Sequence, residues 1–105
     1  MIRRAGTDIP REAVADLCKR WHVSELSLFD PTLFGETESR TEVAALVRFS
    51  SGSQWSLFDL AEMESELGRL LARSVEVVTR SALETNNKPV MLAAILNAAE
   101  PVYAE

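Results

Sequence analysis

Val43-Ala44-Ala45-Leu46-Val47-Arg48-Phe49 carries apolar side chains on both of its alternations: Val43, Ala45, Val47 and Phe49 on one, Ala44 and Leu46 on the other. A strand whose two faces both avoid water belongs in the middle of a sheet covered on each side. Toward the C-terminus, Ser50-Ser51-Gly52-Ser53 forms a turn, and Trp55-Ser56-Leu57-Phe58-Asp59-Leu60 opens a helix. Ser56 is placed to cap it, Asp59 three residues later completes a capping box, and Trp55 packs on Leu60 as a hydrophobic staple. The helix carries Leu60, Met63, Leu67, Leu70 and Leu71 along one stripe and ends near Ala72. Core burial accounts for that stripe better than a partner groove does.

Further along, Val75-Glu76-Val77-Val78-Thr79 is a short strand rich in β-branched residues. Pro89 to Ala99 reads as a last helix with Leu92, Ile95, Leu96 and Ala99 inward, and Val102-Tyr103 as a short edge strand. On the N-terminal side, Glu25-Leu26-Ser27-Leu28-Phe29 alternates polar and apolar as a strand does, until Asp30-Pro31 stops it. Before it, a helix from about Pro10 to Trp21 aligns Val14, Leu17, Cys18 and Trp21, with Pro10 suited to the first turn. The order is helix, strand, short helical turn, strand, helix, strand, helix. It predicts an α/β (α+β) domain in which a small mixed sheet of three to four strands packs against helices.

The 105 residues, 47% hydrophobic and 26% charged, match one domain spanning 1–105, with no repeat or low-complexity tract. Eleven Lys and Arg against sixteen Asp and Glu give a net charge of -5, which argues against a phosphate-tracking surface and so against nucleic acid as a partner. No apolar run reaches the roughly 20 residues that cross a bilayer, and no leader opens the chain, so a cytoplasmic protein is expected. The lone Cys18 has no intrachain disulfide partner and lies in the apolar stripe, where it reads as a core thiol. The lone His22, at a helix end, reads as a capping or surface residue and excludes any site built on several histidines.

Leu28-Phe29 and a turn, then Glu42-Val43-Ala44-Ala45-Leu46-Val47, then Trp55-Ser56-Leu57-Phe58-Asp59-Leu60, then Arg73-Ser74-Val75-Glu76-Val77-Val78-Thr79, and finally Pro101-Val102-Tyr103 follow one another in a revealing order. From about Ile9 to Tyr103 the chain resembles a minimal nucleotidyltransferase of the polymerase-beta-like superfamily. The resemblance implies a nucleotidyltransferase-like fold. It also implies a Gly-Ser pair after the first strand to hold nucleotide phosphates, with an Arg-Gly pair in the short helix that follows. Two aspartates one residue apart stand on the next strand, and a third carboxylate stands on the strand after the long helix. Alternate residues on a strand project from one face about 6.5 Å apart. Two Mg²⁺ ions can then be shared between carboxylates and phosphate oxygens.

Most of these positions are altered in this chain. The Gly-Ser pair falls on Asp30 and Pro31, and the arginine on Phe34, while the glycine survives as Gly35. The aspartate pair falls on Glu42 and Ala44, and the third carboxylate on Glu76. Asp30 brings negative charge to the place of a triphosphate, and Pro31 removes an N–H from its cradle. Asp-Pro also begins a helix well, so Asp30 is expected to cap in cis the donors that phosphate engages in active relatives. Ala44 cannot bind a metal, which leaves Glu42 and Glu76 as weak candidates, with Glu36 and Glu38 weaker still. Two readings of Phe34 stand: a cover over the plugged pocket, or part of a contact surface.

The leading expectation is therefore a catalytically degenerate member acting as a protein-binding module, needing neither ATP nor Mg²⁺. The resemblance points to a helical HEPN-domain protein as partner, with this chain as its antitoxin. The alternative is an active, Mg²⁺-dependent adenylyl transferase that uses ATP, Glu42 and Glu76. A third possibility is self-association through the family surface.

Overall fold

The computed structural model describes residues 2–4, 6–31, 42–52, 54–85 and 89–105. Strands β1 (Ile2–Arg4) and β2 (Thr7–Ile9) lead into α1 (Arg11–Arg20), followed by β3 (Val23–Phe29) and β4 (Val43–Phe49). Then come α2 (Leu57–Leu71), β5 (Val75–Thr79), α3 (Arg80–Thr85), α4 (Pro89–Ala98) and β6 (Glu100–Ala104). The main sheet has the order β5-β4-β3-β6. β3 is antiparallel to both β4 and β6, and β4 is parallel to β5. A parallel pair needs a long crossover, and α2 supplies it.

β4 holds the central place that its two apolar alternations require, with Val43, Ala44, Ala45, Leu46 and Val47 all buried. One face sets Val43, Ala45 and Val47 against Val14, Leu17 and Cys18 of α1 and Met63, Leu67 and Leu71 of α2. The other sets Ala44 and Leu46 beside Phe29, under Leu83 of α3 and Ile95 of α4. Burying a side chain such as Leu67 stabilises the fold by about 2 kcal/mol. Cys18 is wholly buried, and desolvation pushes its thiol up to about 12. It is an inert part of the core.

The capping box of α2 is formed from both sides. Asp59 N–H donates to Ser56 Oγ at 3.1 Å, and Ser56 N–H donates to Asp59 Oδ2 at 2.9 Å. The far end closes through Arg73 N–H to Gly68 O at 3.1 Å and Ala72 N–H to Arg69 O at 3.4 Å, with Ala72 left-handed at φ 54°. α1 ends similarly, with His22 exposed at φ 57° and its N–H on Lys19 O.

Several expectations are corrected. A hairpin of β1 and β2 precedes the first helix, turning through Gly6 at φ 74°. Three-residue strands are too short to show a period, so the sequence concealed them. Pro10 stands outside α1 as its N-cap, not in its first turn, and its carbonyl accepts from Val14 N–H at 3.0 Å. α3 interrupts the stretch between β5 and the last helix. Leu96 is 43% exposed, not inward. α4 centres Ile95 on the sheet, with Met91, Leu92 and Ala99 packed beside it, which rotates Leu96 outward. Trp55 lies edge-on to Trp21 at 5.0 Å, with Phe49 at 6.3 Å. No described helix is long and apolar enough to cross a membrane.

Candidate functional site

The start of β4 brings the candidate residues together through strand register. Ala44 is flanked by Phe29 on β3 and by Glu76 on β5. Side chains in register on neighbouring strands share a face, so these three stand in one row. Phe29 and Ala44 are buried in the apolar cluster beneath α3 and α4, while Glu76 at the sheet edge is exposed. Asp30, directly after Phe29, is exposed, and Pro31 is buried in a 3₁₀ turn. Phe34, Gly35, Glu36 and Glu38 lie outside the described residues.

Glu42 stands one residue before β4 and is half exposed. Its Oε1 accepts from Ser74 N–H at 3.1 Å and its Oε2 from Arg73 Nη1 at 3.2 Å. The main chains also meet there, since Glu42 N–H and Val43 N–H both reach Ser74 O, at 2.9 and 3.2 Å. Arg73 extends its other nitrogen to Gly6 O at 3.4 Å. Glu42 therefore ties the starts of the two parallel strands together, and Arg73 links both to the N-terminal hairpin. Sequence reading missed Arg73. The signal was the parallel pairing itself, because aligning Val43 with Val75 places the residues before each strand side by side.

A second carboxylate with a structural duty is Glu64, whose Oε2 accepts from Val77 N–H at 2.7 Å. It satisfies a main-chain donor of the edge strand β5. A third, Glu66, receives the Trp21 indole N–H at 3.0 Å and Arg20 Nη2 at 3.4 Å. The indole bond, aided by Arg20 and the charge of Arg69, holds the Glu66 carboxyl below its usual value against the opposing effect of burial.

No protein-family model matches the chain, and no curated protein does. Among solved structures, one described as a minimal nucleotidyltransferase is 30% identical, with 87% of each chain covered and a TM-score of 0.59. This chain belongs to the minimal nucleotidyltransferase family. A toxin–antitoxin complex with AMP-PNP matches at 11% identity over 92% of this chain and 75% of the other, with a TM-score of 0.62. A mutant of the MntA–HpeT toxin–antitoxin pair matches with the same identity, coverage and score. At that identity these two show the fold alone.

The sequence resemblance assigns the carboxylate positions to Glu42, Ala44 and Glu76. Ala44 has no donor and no exposed surface. Glu42 already has Arg73 as its cation. Among the described residues no group of three acidic, histidine or cysteine side chains is placed to hold a metal ion. Among the described residues, the donors of Glu42 and Glu76 do not by themselves fit a pair of magnesium ions, each of which demands nearly octahedral oxygen coordination.

Proposed function

We infer that this minimal nucleotidyltransferase is a protein-binding module without transfer chemistry, serving as the antitoxin-like partner of a helical HEPN-domain protein. The observation that carries the reading is Ala44. It stands where the motif places a metal-binding aspartate, yet it has no exposed surface and packs with Phe29, Leu46, Leu83 and Ile95. An ion cannot shed its water into such a place without ligands to replace it. Asp30 adds negative charge where phosphates would enter, and the Arg73 pair engages Glu42. Phosphoryl transfer depends on positioned charge, so these changes weigh against catalysis. The fold shared with toxin–antitoxin complexes supports a protein partner.

Two measurements test the reading. Co-expressed with a HEPN-type product of an adjacent reading frame, the chain elutes with it as one complex in the absence of ATP. Separate elution of the two proteins rejects the partner. Replacing Ala44 with Asp decides the chemistry. The module reading expects a carboxylate forced into an apolar cluster, lowering stability by about 3 kcal/mol, with no nucleotide binding by calorimetry at millimolar ATP and Mg²⁺. If Ala44→Asp instead folds normally and raises labelled adenylate transfer, Glu42 and Glu76 belong to a working enzyme.

A further inference from the structure

β4 and β5 run parallel, and their C-terminal ends lie away from Glu42, Ala44 and Glu76. Ala44 and Phe49 are separated by roughly 16 Å at the rise of an extended strand. There the chain leaves β4 through Arg48-Phe49-Ser50 and leaves β5 directly into α3 as Arg80-Ser81. Between these segments lies a cleft of about 260 Å³ lined by Arg48, Phe49, Ser50, Arg80, Ser81 and Glu84. Crevices outside the carboxyl ends of parallel strands are where α/β sheets commonly hold ligands.

Two arginines line this cleft from different elements. Arg48 faces Glu25 at 3.6 Å, but both side chains are at least half exposed, and solvent leaves such a pair worth little. Arg80 is half-buried and makes no ion pair among the described residues. It has lost part of its hydration without gaining a counter-charge. The lining holds one carboxylate, Glu84, one turn along α3 from Arg80. Ser50 Oγ donates to Glu105 Oε2 at 3.0 Å, so a second carboxylate stands at the rim.

We propose that this cleft binds a phosphate monoester whose remaining part carries a hydrogen-bond donor. The planar forks of Arg48 and Arg80 match phosphate oxygens, as arginine does wherever phosphate is held by geometry as well as charge. Glu84 then accepts from a hydroxyl or amine on the rest of the ligand and disfavours ligands anionic throughout. This reading does not depend on the proposed function, because its residues lie at the opposite end of β4.

O-Phosphoserine, inorganic phosphate and serine titrated separately into the ¹⁵N-labelled chain test it. Phosphoserine should give saturable amide shifts centred on Ser50, Arg80 and Ser81, with weaker binding of phosphate and none of serine. Arg80→Ala and Arg48→Ala should each weaken phosphoserine binding about tenfold, while the control Arg69→Ala, on the far side of α2, leaves it unchanged. Glu84→Gln should narrow the difference between phosphoserine and phosphate. The spectra also report whether each variant is folded. Absent or unsaturable shifts, arginine variants that bind phosphoserine as tightly as the wild type, or shifts centred on Asp30 overturn the proposal. Equal affinity for phosphate and phosphoserine overturns the part assigned to Glu84.

Discussion

Glu66 receives the indole N–H of Trp21 and the guanidinium of Arg20, and so couples α2 to the end of α1. Because its folded-state carboxyl lies below the usual value of 4.5, the charged form is favoured by folding. The stabilisation is therefore fully present above the unfolded value and is lost as pH falls through the folded one. Glu66→Gln keeps an oxygen for Trp21 but removes the charge. Screened by solvent, that charge contributes about 0.5 kcal/mol. Urea unfolding should place the variant below the wild type by that amount at neutral pH, with the gap closing as the pH falls below the usual carboxylate value of 4.5. A gap that persists unchanged in acid would show that packing, not ionisation, links the two helices. Glu42 illustrates how far single residues could be read from sequence. Its place at the head of β4 was legible, but its commitment to Arg73 was not, because residues 31 positions apart meet only once the parallel register is known.

α2 contains both a well-formed start and a strained finish. The capping box satisfies its first donors, whereas Ala72 takes a left-handed conformation that costs a residue with a Cβ about 1 kcal/mol relative to glycine. Ala72 is exposed, so removing its methyl sacrifices little packing. Ala72→Gly should therefore stabilise the chain by roughly 0.5 to 1 kcal/mol, read as a higher urea midpoint with an unchanged slope. An equal or lower midpoint would place the strain elsewhere. Elements with a strong period or chemical punctuation were legible: β4 from its two apolar faces, α2 from Ser56 and Asp59, β5 from its β-branched run. The β1–β2 hairpin and α3 were not, because three residues of strand or six of helix hold fewer than two periods, and their shape is fixed by burial of Ile9 and Leu83 against distant elements. The positions of the candidate site were legible for the same reason as β4. The dryness around Ala44 was not, since it depends on α3 and α4 closing over the sheet.

At the scale of the molecule, one helix is left without charge. The chain carries a net charge of -5, yet Pro89 to Ala99 contains no ionisable side chain. A helix apolar on all sides is ordinarily covered on all sides, but the sheet covers α4 only through the stripe centred on Ile95. Val90 is 82% exposed and Leu96 43%, with small Ala93 and Ala94 exposed on the same helix. Under the proposed function, the helical partner covers this face, where small side chains permit close approach of another helix. Val90→Lys should then leave thermal unfolding within about 0.5 kcal/mol of the wild type, as exposed substitutions do. It should weaken the complex at least about tenfold by calorimetry, the effect of placing an unpaired charge in an apolar contact. If the substitution instead leaves the complex intact and abolishes a concentration-dependent dimer seen by light scattering, the face joins two copies of this chain, and the partner must bind elsewhere.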